Sequence, residues 1–436
     1  MRDLVMVERD AQVERSKRML DPYLTTSHGV ITVLVDNIMY DYQRNAPARQ
    51  RKMKQADRLN LEAMLTTVLA NLALAVAEGV DPPTIGVSLK AAKRKLTRYD
   101  RYGFTGLPRV LGLIGGSGGL LSLERSSRKG VASAVTAAPD FKATLARFKF
   151  KPEHFEVAEG RETIWLSRLT RDYVSGTEQR EMIDYKDTEE TNRFRGEVVR
   201  INEALRKADI ALAPEDGQTV ITSLRFLHRS FNLQPDAKEG TERFDLGGRL
   251  FGGWWMNLPK ERRHLIRISG EPVADLDFAS MFLRLAFLEV GQRPPESDLY
   301  ADIPGLREAR WRAGVKKVVL AMLFRTSPLT RLPKDAKGLL PPRMSGEQAR
   351  SAILKAFPAL ESIFETGAGL RLMFSESQIL IAALLDLVDQ NVPALPMHDG
   401  LMVPISKVSV AARAMQDAAE KTVGFRLPIS LKAMYA

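Results

Sequence analysis

The chain of 436 residues has no cysteine, and its five histidines lie far apart in the sequence. Disulfide bonds, thiolate nucleophiles and cysteine-ligated zinc sites are therefore excluded, and the histidines do not suggest a shared metal site. Any metal ion that this protein binds must be held mainly by oxygen ligands.

We also expect no long apolar run in the sequence, and no apolar stretch that approaches the roughly 20 residues needed to cross a bilayer. The N-terminal sequence MRDLVMVERD is too charged for a signal peptide. We therefore expect no membrane partner and a cytoplasmic location. Hydrophobic residues make up 44% of the chain, which is enough for two or three domains with cores of their own.

Acidic residues are fewer than basic ones. The chain has 53 aspartates and glutamates against 64 lysines and arginines, so its formal net charge is +11. This balance favours partners rich in phosphate. Composition alone does not distinguish a nucleic acid from an anionic membrane.

Residues 1–150 are predicted to form a mainly helical, basic region. The predicted segments are a helix over 59–78, a basic helix over 87–99, a short helix over 107–113, a glycine turn over 115–119 and a strand in LLSLERSS. This order is typical of a winged helix-turn-helix that binds nucleic acid. The glycine cluster lacks the lysine and hydroxyl residue of a P-loop, so we interpret it as a tight turn.

Residues 151–240 are mixed and charged. A helix is predicted over 188–207, and a shorter helix is predicted to end at Phe231. Proline, glycine and charged residues over 234–241 indicate a boundary before the third region, 241–436.

Two aspartates of the third region lie in strand-like surroundings. Asp277 follows alternating apolar residues in VADLDFASMF, and Asp399 separates two short apolar runs in ALPMHDGLMVP. Two such strands are expected to lie side by side, where paired carboxylates could hold two magnesium ions about 3.5–4 Å apart for nucleotidyl transfer. An aspartate at a strand end is also typical of a cap or turn, so the pair alone leaves both interpretations open.

The segment REARWRAGVKKVVLAMLF lies between the two aspartates and predicts a helix. Arg312, Lys316, Leu320 and Phe324 are spaced four apart, which places them on one helical face. The two cations suit the phosphates of an incoming nucleotide, and the two apolar residues suit its sugar, its base or the template. The alternative is a basic amphipathic helix at the surface.

Taken together, the segments from Phe244 to Pro404 resemble the motifs of family A DNA polymerases, in the order of that family. FDLGGRLFGGWWMNLP is similar to the GR-containing segment, which implies that Arg249 contacts the primer in the minor groove. DLDFASMFLR is similar to motif A. That likeness implies that Asp277 binds both metal ions, that the backbone carbonyl of Phe278 adds a ligand, and that Arg284 contacts the primer-template.

The two remaining motifs follow in the same order. The helix from Arg312 to Phe324 is similar to motif B of the fingers, and HDG is similar to motif C, which implies that His398 meets the primer terminus. The amphipathic segment RLMFSESQILIAALLDLV places Glu376 near the position at which family A polymerases have a residue that contacts the primer-template. A purely structural helix is the alternative there.

The chain departs from the family pattern at four positions. Phe282 stands where a glutamate is usual, Leu320 replaces an aromatic residue, Phe324 replaces a tyrosine, and Gly400 replaces an acid. A rigid ring at Phe282 is expected to block a ribose 2′-hydroxyl by its bulk, which predicts a preference for deoxynucleotides. Single-subunit RNA polymerases also lack the acid at the position of Gly400, so RNA synthesis stays open.

The resemblance implies an α+β fold of the right-hand polymerase type. It predicts an antiparallel-sheet palm and reduced helical fingers in 241–436, a small helical thumb in 151–240, and a mainly helical N-terminal region in 1–150. Two Mg²⁺ ions, replaceable by Mn²⁺, are the expected cofactors. The expected partners are a DNA primer-template, nucleoside triphosphates and replication accessory proteins.

Two other functions stay open at the level of sequence. One is a single-subunit RNA polymerase or primase-like enzyme, which the basic N-terminal region would suit. The other is a DNA-binding replication or regulatory protein whose palm is inactive. The presence of Asp277, Lys316 and Asp399 argues against the second, because an inactive site has no need of them.

Overall fold

A computed structural model of the chain describes residues 18–45, 53–89, 97–101, 106–116, 119–127, 131–171, 178–213, 220–234, 237–238, 240 and 242–435. Packing divides the chain into two compact units. The first comprises 1–162 and 214–226, and the second comprises 163–213 and 227–436. Both contain helices and sheets, so the α+β class is confirmed. The assignment of palm, fingers and thumb stays a prediction.

The described residues of the first unit form four α-helices and two small sheets. Its elements are β1 (Arg18–Met19), β2 (Leu24–Thr26), α1 (Gly29–Asn45), α2 (Gln55–Ala77), β3 (Thr84–Val87), α3 (Leu107–Gly116), β4 (Leu121–Glu124), β5 (Ser133–Ala137), α4 (Pro139–Arg147) and β6 (Phe155–Val157). One sheet has the order β1-β3-β5-β4, and the other pairs β2 with β6.

Helix α2 forms the core of the first unit. The expectation that no apolar stretch approaches membrane-spanning length was wrong, because α2 is long and apolar enough to cross a membrane by length and composition. Of its most apolar window, 67% is buried inside the protein, and Leu65, Val68 and Leu72 are fully buried. The apolar surface of α2 is thus used for packing. The cytoplasmic location stays a prediction.

The basic helix predicted over 87–99 is not seen where the structure describes that segment. The buried sequence TIGV forms β3, which pairs antiparallel with β5, and residues 97–99 are not helical. The β-branched residues of β3 pack against the core, which favours a strand. Residues 90–96, and 117–118 of the glycine turn, lie outside the described residues. Helix α3 and strand β4 are present, and the winged-helix interpretation stays a prediction.

The second unit contains two larger sheets and six helices among its described residues. Its elements are β7 (Ile164–Arg171), β8 (Glu178–Met182), α5 (Glu189–Lys207), β9 (Ile210–Leu212), β10 (His228–Leu233), β11 (Gly247–Phe251), β12 (Ile266–Ile268), β13 (Glu271–Phe278), α6 (Met281–Glu289), α7 (Arg312–Phe324), α8 (Gly346–Ala356), α9 (Gly369–Asp389), β14 (Leu395–Met397), β15 (Gly400–Pro404), α10 (Val408–Val423) and β16 (Ile429–Met434).

Region 151–240 differs from the predicted helical thumb. Helix α5 is present and begins with a capping box, in which Thr188 and Thr191 each bond the backbone N–H of the other. The helix predicted to end at Phe231 is instead strand β10, in which Arg229, Ser230, Phe231 and Leu233 are buried. Phe231 stacks on Phe194 at 5.4 Å. Helix α5 is the only α-helix among the described residues of this region, and packing divides the region between the two units.

Strand β13 lies at the centre of the sheet that carries Asp277. It pairs antiparallel with β15 on one side and with β16 on the other, so that Asp277 lies opposite both Gly400 and Ser430. The sheet order is β14-β15-β13-β12-β9, with β16 added beside β13. The prediction that the two aspartate-bearing strands lie side by side is confirmed. The second sheet has the order β11-β10-β7-β8.

Candidate active site

A two-residue hairpin places Asp399 beside Asp277. His398 and Asp399 join β14 to β15, and Met397 pairs with Gly400 across the turn. His398 adopts a left-handed φ of 58°, which is rare for a residue with a side chain and is found mostly in tight turns and at functional sites. Because Gly400 is also the partner of Asp277 on β13, the two carboxylates meet at one end of the sheet.

The carboxylate of Asp277 is buried, with a relative exposure of 4%. Burial, and then the charge of Asp399, raise the pKa of Asp277 to about 7. Its Oδ2 pairs with the ammonium group of Lys432, whereas its Oδ1 is buried with no hydrogen-bond partner among the described residues. A buried oxygen without a partner carries a desolvation cost that a cation would relieve.

These groups fit a magnesium site. Carboxylate and carbonyl oxygens are the ligands that magnesium prefers, and Asp277, Asp399 and the carbonyl of Phe278 would supply them. In the part of the chain that the structure describes, no group of three or more histidine, aspartate or glutamate side chains could hold a metal ion. Water and substrate phosphates would therefore complete the coordination, as is usual for magnesium.

Asp275 is a second aspartate of β13, and the sequence did not single it out. It lies two residues before Asp277, so both side chains point to the same face of β13. It is 5% exposed, its pKa is raised by burial, and its Oδ2 lies 3.9 Å from Arg263. The period-two spacing in DLD was the signal that could have identified it.

Lys432 is the second residue that the sequence analysis missed. Burial lowers its pKa, but the ion pair with Asp277 outweighs burial, so the pKa lies above its ordinary value. The lysine therefore carries a full positive charge at the two aspartates. No local sequence pattern around Lys432 indicates this, because β16 reaches the site only through pairing with β13.

The structure explains why glycine occupies position 400. A Cβ atom there would lie 2.3 Å from the carbonyl oxygen of Leu276 and 3.3 Å from Oδ1 of Asp277. The first distance is far below a normal contact, so no side chain fits while β13 and β15 pair in this register. Close strand packing thus accounts for the absence of an acidic side chain at position 400.

Helix α7 presents the predicted face. Arg312, Lys316 and Phe324 are exposed and Leu320 is partly exposed, while the opposite face is buried through residues such as Val315 and Val319. The four residues therefore share an accessible stripe, as their spacing predicted. Their role in binding a nucleotide stays a prediction.

Asp298 and Tyr300 connect helix α7 to the aspartates. The guanidinium of Arg312 pairs with the carboxylate of Asp298, with Nε 2.5 Å from Oδ2. The cationic groups of Arg312 and Lys316 also lie over the ring of Tyr300, 5.6 and 6.0 Å from its centre. Tyr300 is 2% exposed, and burial and the charge of Asp399 raise its pKa. Tyr300 therefore contacts the cations of α7 and is close enough to Asp399 to be affected by its charge. No sequence pattern indicated either Asp298 or Tyr300.

Arg249 and Glu376 form a bidentate pair. Nε and a terminal nitrogen of Arg249 lie 2.5 and 2.9 Å from the two carboxylate oxygens of Glu376. Glu376 is fully buried, and burial raises its pKa to about 7. Both oxygens of Glu376 are thus engaged by Arg249, and its contact with the primer-template stays a prediction. Glu376 fixes the guanidinium of Arg249.

The same guanidinium covers Phe282. Arg249 lies 5.6 Å from the centre of the Phe282 ring, and Phe324 approaches that ring from α7 at 5.7 Å. Phe282 is only 7% exposed. The structure thus brings together Arg249, Phe282 and Phe324, which belong to three different sequence motifs.

Arg229 is a buried arginine that supports this arrangement. It is fully buried and donates to the carbonyl of Gly248 at 3.0 Å, to Ser377 at 3.2 Å and to Glu197 at 3.2 Å. It therefore ties β11, α9 and α5 together around Arg249. Burial lowers its pKa to about 10, which leaves it charged at neutral pH.

Arg284 is buried near the start of α6. It is 2% exposed, and its guanidinium donates to four carbonyl oxygens, those of Ala279, Pro295, Glu296 and Ser297. These bonds hold the 295–297 loop to the start of α6. Ala279 and the loop thus engage most of the donors of Arg284, and its contact with the primer-template stays a prediction.

His398 remains accessible beside Asp399. The residue is exposed to solvent, but its ring is partly covered and lies 6.2 Å from that of Phe251 on β11. This partial burial of the ring, and then the charge of Arg249, lower its pKa, so the imidazole is neutral at physiological pH. Its predicted position at the primer terminus stays a prediction.

No protein-family model matches this chain, and no curated protein matches it. Among solved structures, the chain is similar to the POL domain of Pol1 from M. smegmatis in complex with DNA primer-template and dNTP. The identity is 12% and the TM-score 0.30, over 94% of this chain and 79% of that chain. At this TM-score the overlap is loose, so what the site does rests on its own residues.

Proposed function

We propose that this protein is a template-directed nucleotidyltransferase that extends a primer 3′ end with deoxynucleoside triphosphates. The observation that carries the proposal is the pair of Asp277 and Asp399 at the end of two adjacent strands, with Oδ1 of Asp277 buried and lacking a partner among the described residues. The exposed cations of α7, Arg312 and Lys316, lie over the ring of Tyr300, whose pKa is raised by burial and by the charge of Asp399.

The chemistry requires an activated hydroxyl and a stabilised leaving group. The primer 3′-oxygen attacks the α-phosphorus, the bond from that phosphorus to the β-phosphate oxygen breaks, and pyrophosphate leaves with the electron pair. Two magnesium ions held by Asp277, Asp399 and the Phe278 carbonyl would activate the hydroxyl and neutralise the leaving oxygen, and manganese would take the same ligands.

The cations of α7 bind the triphosphate in this proposal. Arg312 exchanges its carboxylate partner, Asp298, for phosphate oxygens that accept the same bidentate fork. Lys316 supplies a point charge to the β- and γ-phosphates as negative charge develops on them. Leu320 packs against the base, so one helical face would contact both the phosphates and the base of the nucleotide.

Phe282 selects the sugar in this proposal. Arg249 and Phe324 both contact its ring, which is only 7% exposed, so the ring has little room to move when a sugar approaches. A 2′-hydroxyl would need space that the fixed ring occupies, which favours deoxynucleotides. The glycine at 400 does not favour RNA synthesis, because strand packing alone accounts for it.

The remaining assignments of the proposal concern nucleic acid. Arg249 is the proposed minor-groove contact and His398 the proposed contact to the primer terminus. Helix α5 is the proposed thumb element, and the first unit is a proposed nucleic-acid-binding region. The net charge of +11 supports a polyanionic partner. Accessory proteins are a further proposed class of partner.

Primer extension tests the proposal. A labelled primer-template is incubated with magnesium and either deoxynucleotides or ribonucleotides, using the wild type, Asp277→Asn and Asp399→Asn. Asp386→Asn is the matched control, since Asp386 is exposed on α9. We expect extension by the wild type and by the control, and none by the two site variants. No magnesium-dependent extension with either nucleotide set would favour a binding protein with an inactive palm.

A second experiment tests the choice of sugar. Phe282→Ala removes the ring, and we expect the relative use of ribonucleotides to rise because the 2′-hydroxyl gains space. Preference for ribonucleotides by the wild type would instead indicate RNA synthesis or priming. An unchanged preference in the variant would show that another residue selects the sugar.

A further inference from the structure

Strand β16 contains a β-bulge at Lys432. Leu431 pairs with Leu276 and Ala433 pairs with Asp275, so Lys432 is an extra residue without a cross-strand partner on β13. Bulges of this kind redirect a side chain and are frequent beside active sites. Here the ammonium group of Lys432 reaches Oδ2 of Asp277.

The bulge makes the two oxygens of Asp277 unequal. Oδ2 accepts from Lys432, whereas Oδ1 has no partner in the described part of the chain. A protonated lysine has donors only and cannot itself ligate a metal ion. An ion that used Oδ2 would have to displace the ammonium group, and an ion at Oδ1 alone would lie beside a positive charge.

The positive charge of Lys432 also offsets part of the negative charge of three acids. Asp275 and Asp277 are buried on the same strand, and Asp399 lies next to Asp277. Buried carboxylates without a cation would repel one another and would destabilise the fold. The lysine is half-exposed, at 47%, so its flexible stem can swing away from the acids without disturbing the core.

We propose that Lys432 is a tethered competitor for the divalent cation at Asp277. The ammonium group occupies Oδ2 when no ion is bound, and binding of a divalent cation displaces it. The importance of this competition for catalysis rests on the proposed function, but the competition itself is measured by metal binding without nucleic acid or nucleotide.

The test is the affinity of the full chain for Mn²⁺, measured by electron paramagnetic resonance or calorimetry. Lys432→Met keeps the aliphatic stem and removes the charge, and Lys432→Arg keeps the charge. Lys407→Met is the matched control, because Lys407 follows β15 at the opposite end of β13. We expect Lys432→Met to bind Mn²⁺ roughly ten-fold more tightly, because one nearby positive charge is removed. Lys432→Arg and Lys407→Met should bind as the wild type does.

The same gain should vanish when Asp277 is also changed. In Lys432→Met combined with Asp277→Asn, Mn²⁺ binding should be no tighter than in Asp277→Asn alone, because the competition acts through Asp277. Unchanged or weaker Mn²⁺ binding by Lys432→Met would overturn the proposal. So would a gain in the double variant equal to that in the single variant.

A second measurement covers the case in which Lys432→Met does not fold without metal. Lys432→Gln keeps a polar side chain, and the rise in melting temperature on adding Mn²⁺ should be larger for it than for the wild type. An equal rise would overturn the proposal. Primer extension separates this result from the proposed function. If the Lys432 variant binds Mn²⁺ more tightly but the wild type does not extend a primer, only the proposed polymerase activity is contradicted. If the wild type extends a primer but the Lys432 variant binds Mn²⁺ with unaltered affinity, only the proposed competition by Lys432 is contradicted.

Discussion

Gly400 and Asp277 illustrate how single residues form this site. The absence of a side chain at 400 lets β15 approach the carbonyl of Leu276, and this approach brings Asp399 next to Asp277. Asp277 then carries a pKa of about 7, because burial and a neighbouring carboxylate both disfavour its charged form. Packing at one position therefore sets the electrostatics at the next.

Adding one methyl group at Gly400 is expected to destabilise the protein. Gly400→Ala would place Cβ 2.3 Å from the Leu276 oxygen, so the strands must separate at a cost of about 1–3 kcal/mol. The free energy of unfolding is measured by chemical denaturation. Gly196→Ala is the matched control, since no described atom lies within 4 Å of its added Cβ and alanine favours helix α5 by about 0.5–1 kcal/mol. Equal effects of the two substitutions would contradict the close packing at 400.

Asp277 should make stability depend on pH when divalent cations are removed with EDTA. Its pKa is about 7 in the folded protein and 3.8 for an unperturbed aspartate, so between these values the folded state binds more protons. Stability should therefore fall as the pH rises from about 4 to above 7, by up to roughly 4 kcal/mol. Asp277→Asn cannot ionise, so we expect it to be more stable than the wild type at pH 8, with a smaller difference at pH 5.

Denaturation curves at several pH values check this prediction, with the exposed Asp386→Asn as the control. Added magnesium should restore the stability of the wild type at pH 8, because a bound cation favours the ionised carboxylate. A difference between Asp277→Asn and the wild type that did not change with pH would show that Asp277 titrates normally.

Helix α7 shows what an element adds to its residues. Its buried face anchors it through residues such as Val315 and Val319, and its other face holds Arg312 and Lys316 in register with Tyr300. Two neighbouring lysines of this helix have different surroundings. Lys316 lies over Tyr300, whereas Nζ of Lys317 lies 2.7 Å from Asp335.

This difference gives a matched pair of variants. Lys316→Ala is expected to lower the rate of extension roughly 10²-fold, because a charge that stabilises the leaving phosphates is lost. Lys317→Ala should leave the rate nearly unchanged and should cost at most about 1 kcal/mol of stability, since it breaks only a surface ion pair. Single-turnover extension and denaturation measure the two effects. Equal losses of rate in the two variants would mean that the positive charge of α7 acts without a specific role for Lys316.

The whole molecule carries a charge of +11, which no single site accounts for. Both units contain basic surface residues, for example Arg44 at the end of α1 and Arg371 on α9. Such a distribution attracts polyanions over long distances and releases their counterions on binding.

Affinity for duplex DNA should therefore depend strongly on salt. If about six phosphates are neutralised, the affinity should fall roughly 10³-fold between about 50 and 200 mM salt. Fluorescence anisotropy with a labelled primer-template measures this dependence. A duplex with a neutral methylphosphonate backbone is the control and should bind weakly at all salt concentrations. Salt-independent binding of ordinary DNA would contradict an electrostatic interface.

Local patterns in the sequence determined the elements of the site. The alternating residues before Asp277 predicted β13, and the four-residue spacing from Arg312 to Phe324 predicted the face of α7, because the type of an element and the direction of its side chains follow from local periodicity. The strand at Phe231 was missed, since its burial depends on Phe194 in another element.

Only the tertiary structure decided which side chains meet. Glu376 was singled out for a nucleic-acid contact, but its partner is Arg249, 127 positions earlier. Lys432 reaches Asp277 through a bulge in a strand far along the chain, and the donors of Arg284 are engaged by the 295–297 loop. The sequence by itself thus determined which strands carry the two aspartates and which face of α7 carries the cations. The fold decided the partners, because burial and long-range pairing depend on residues that no local pattern contains.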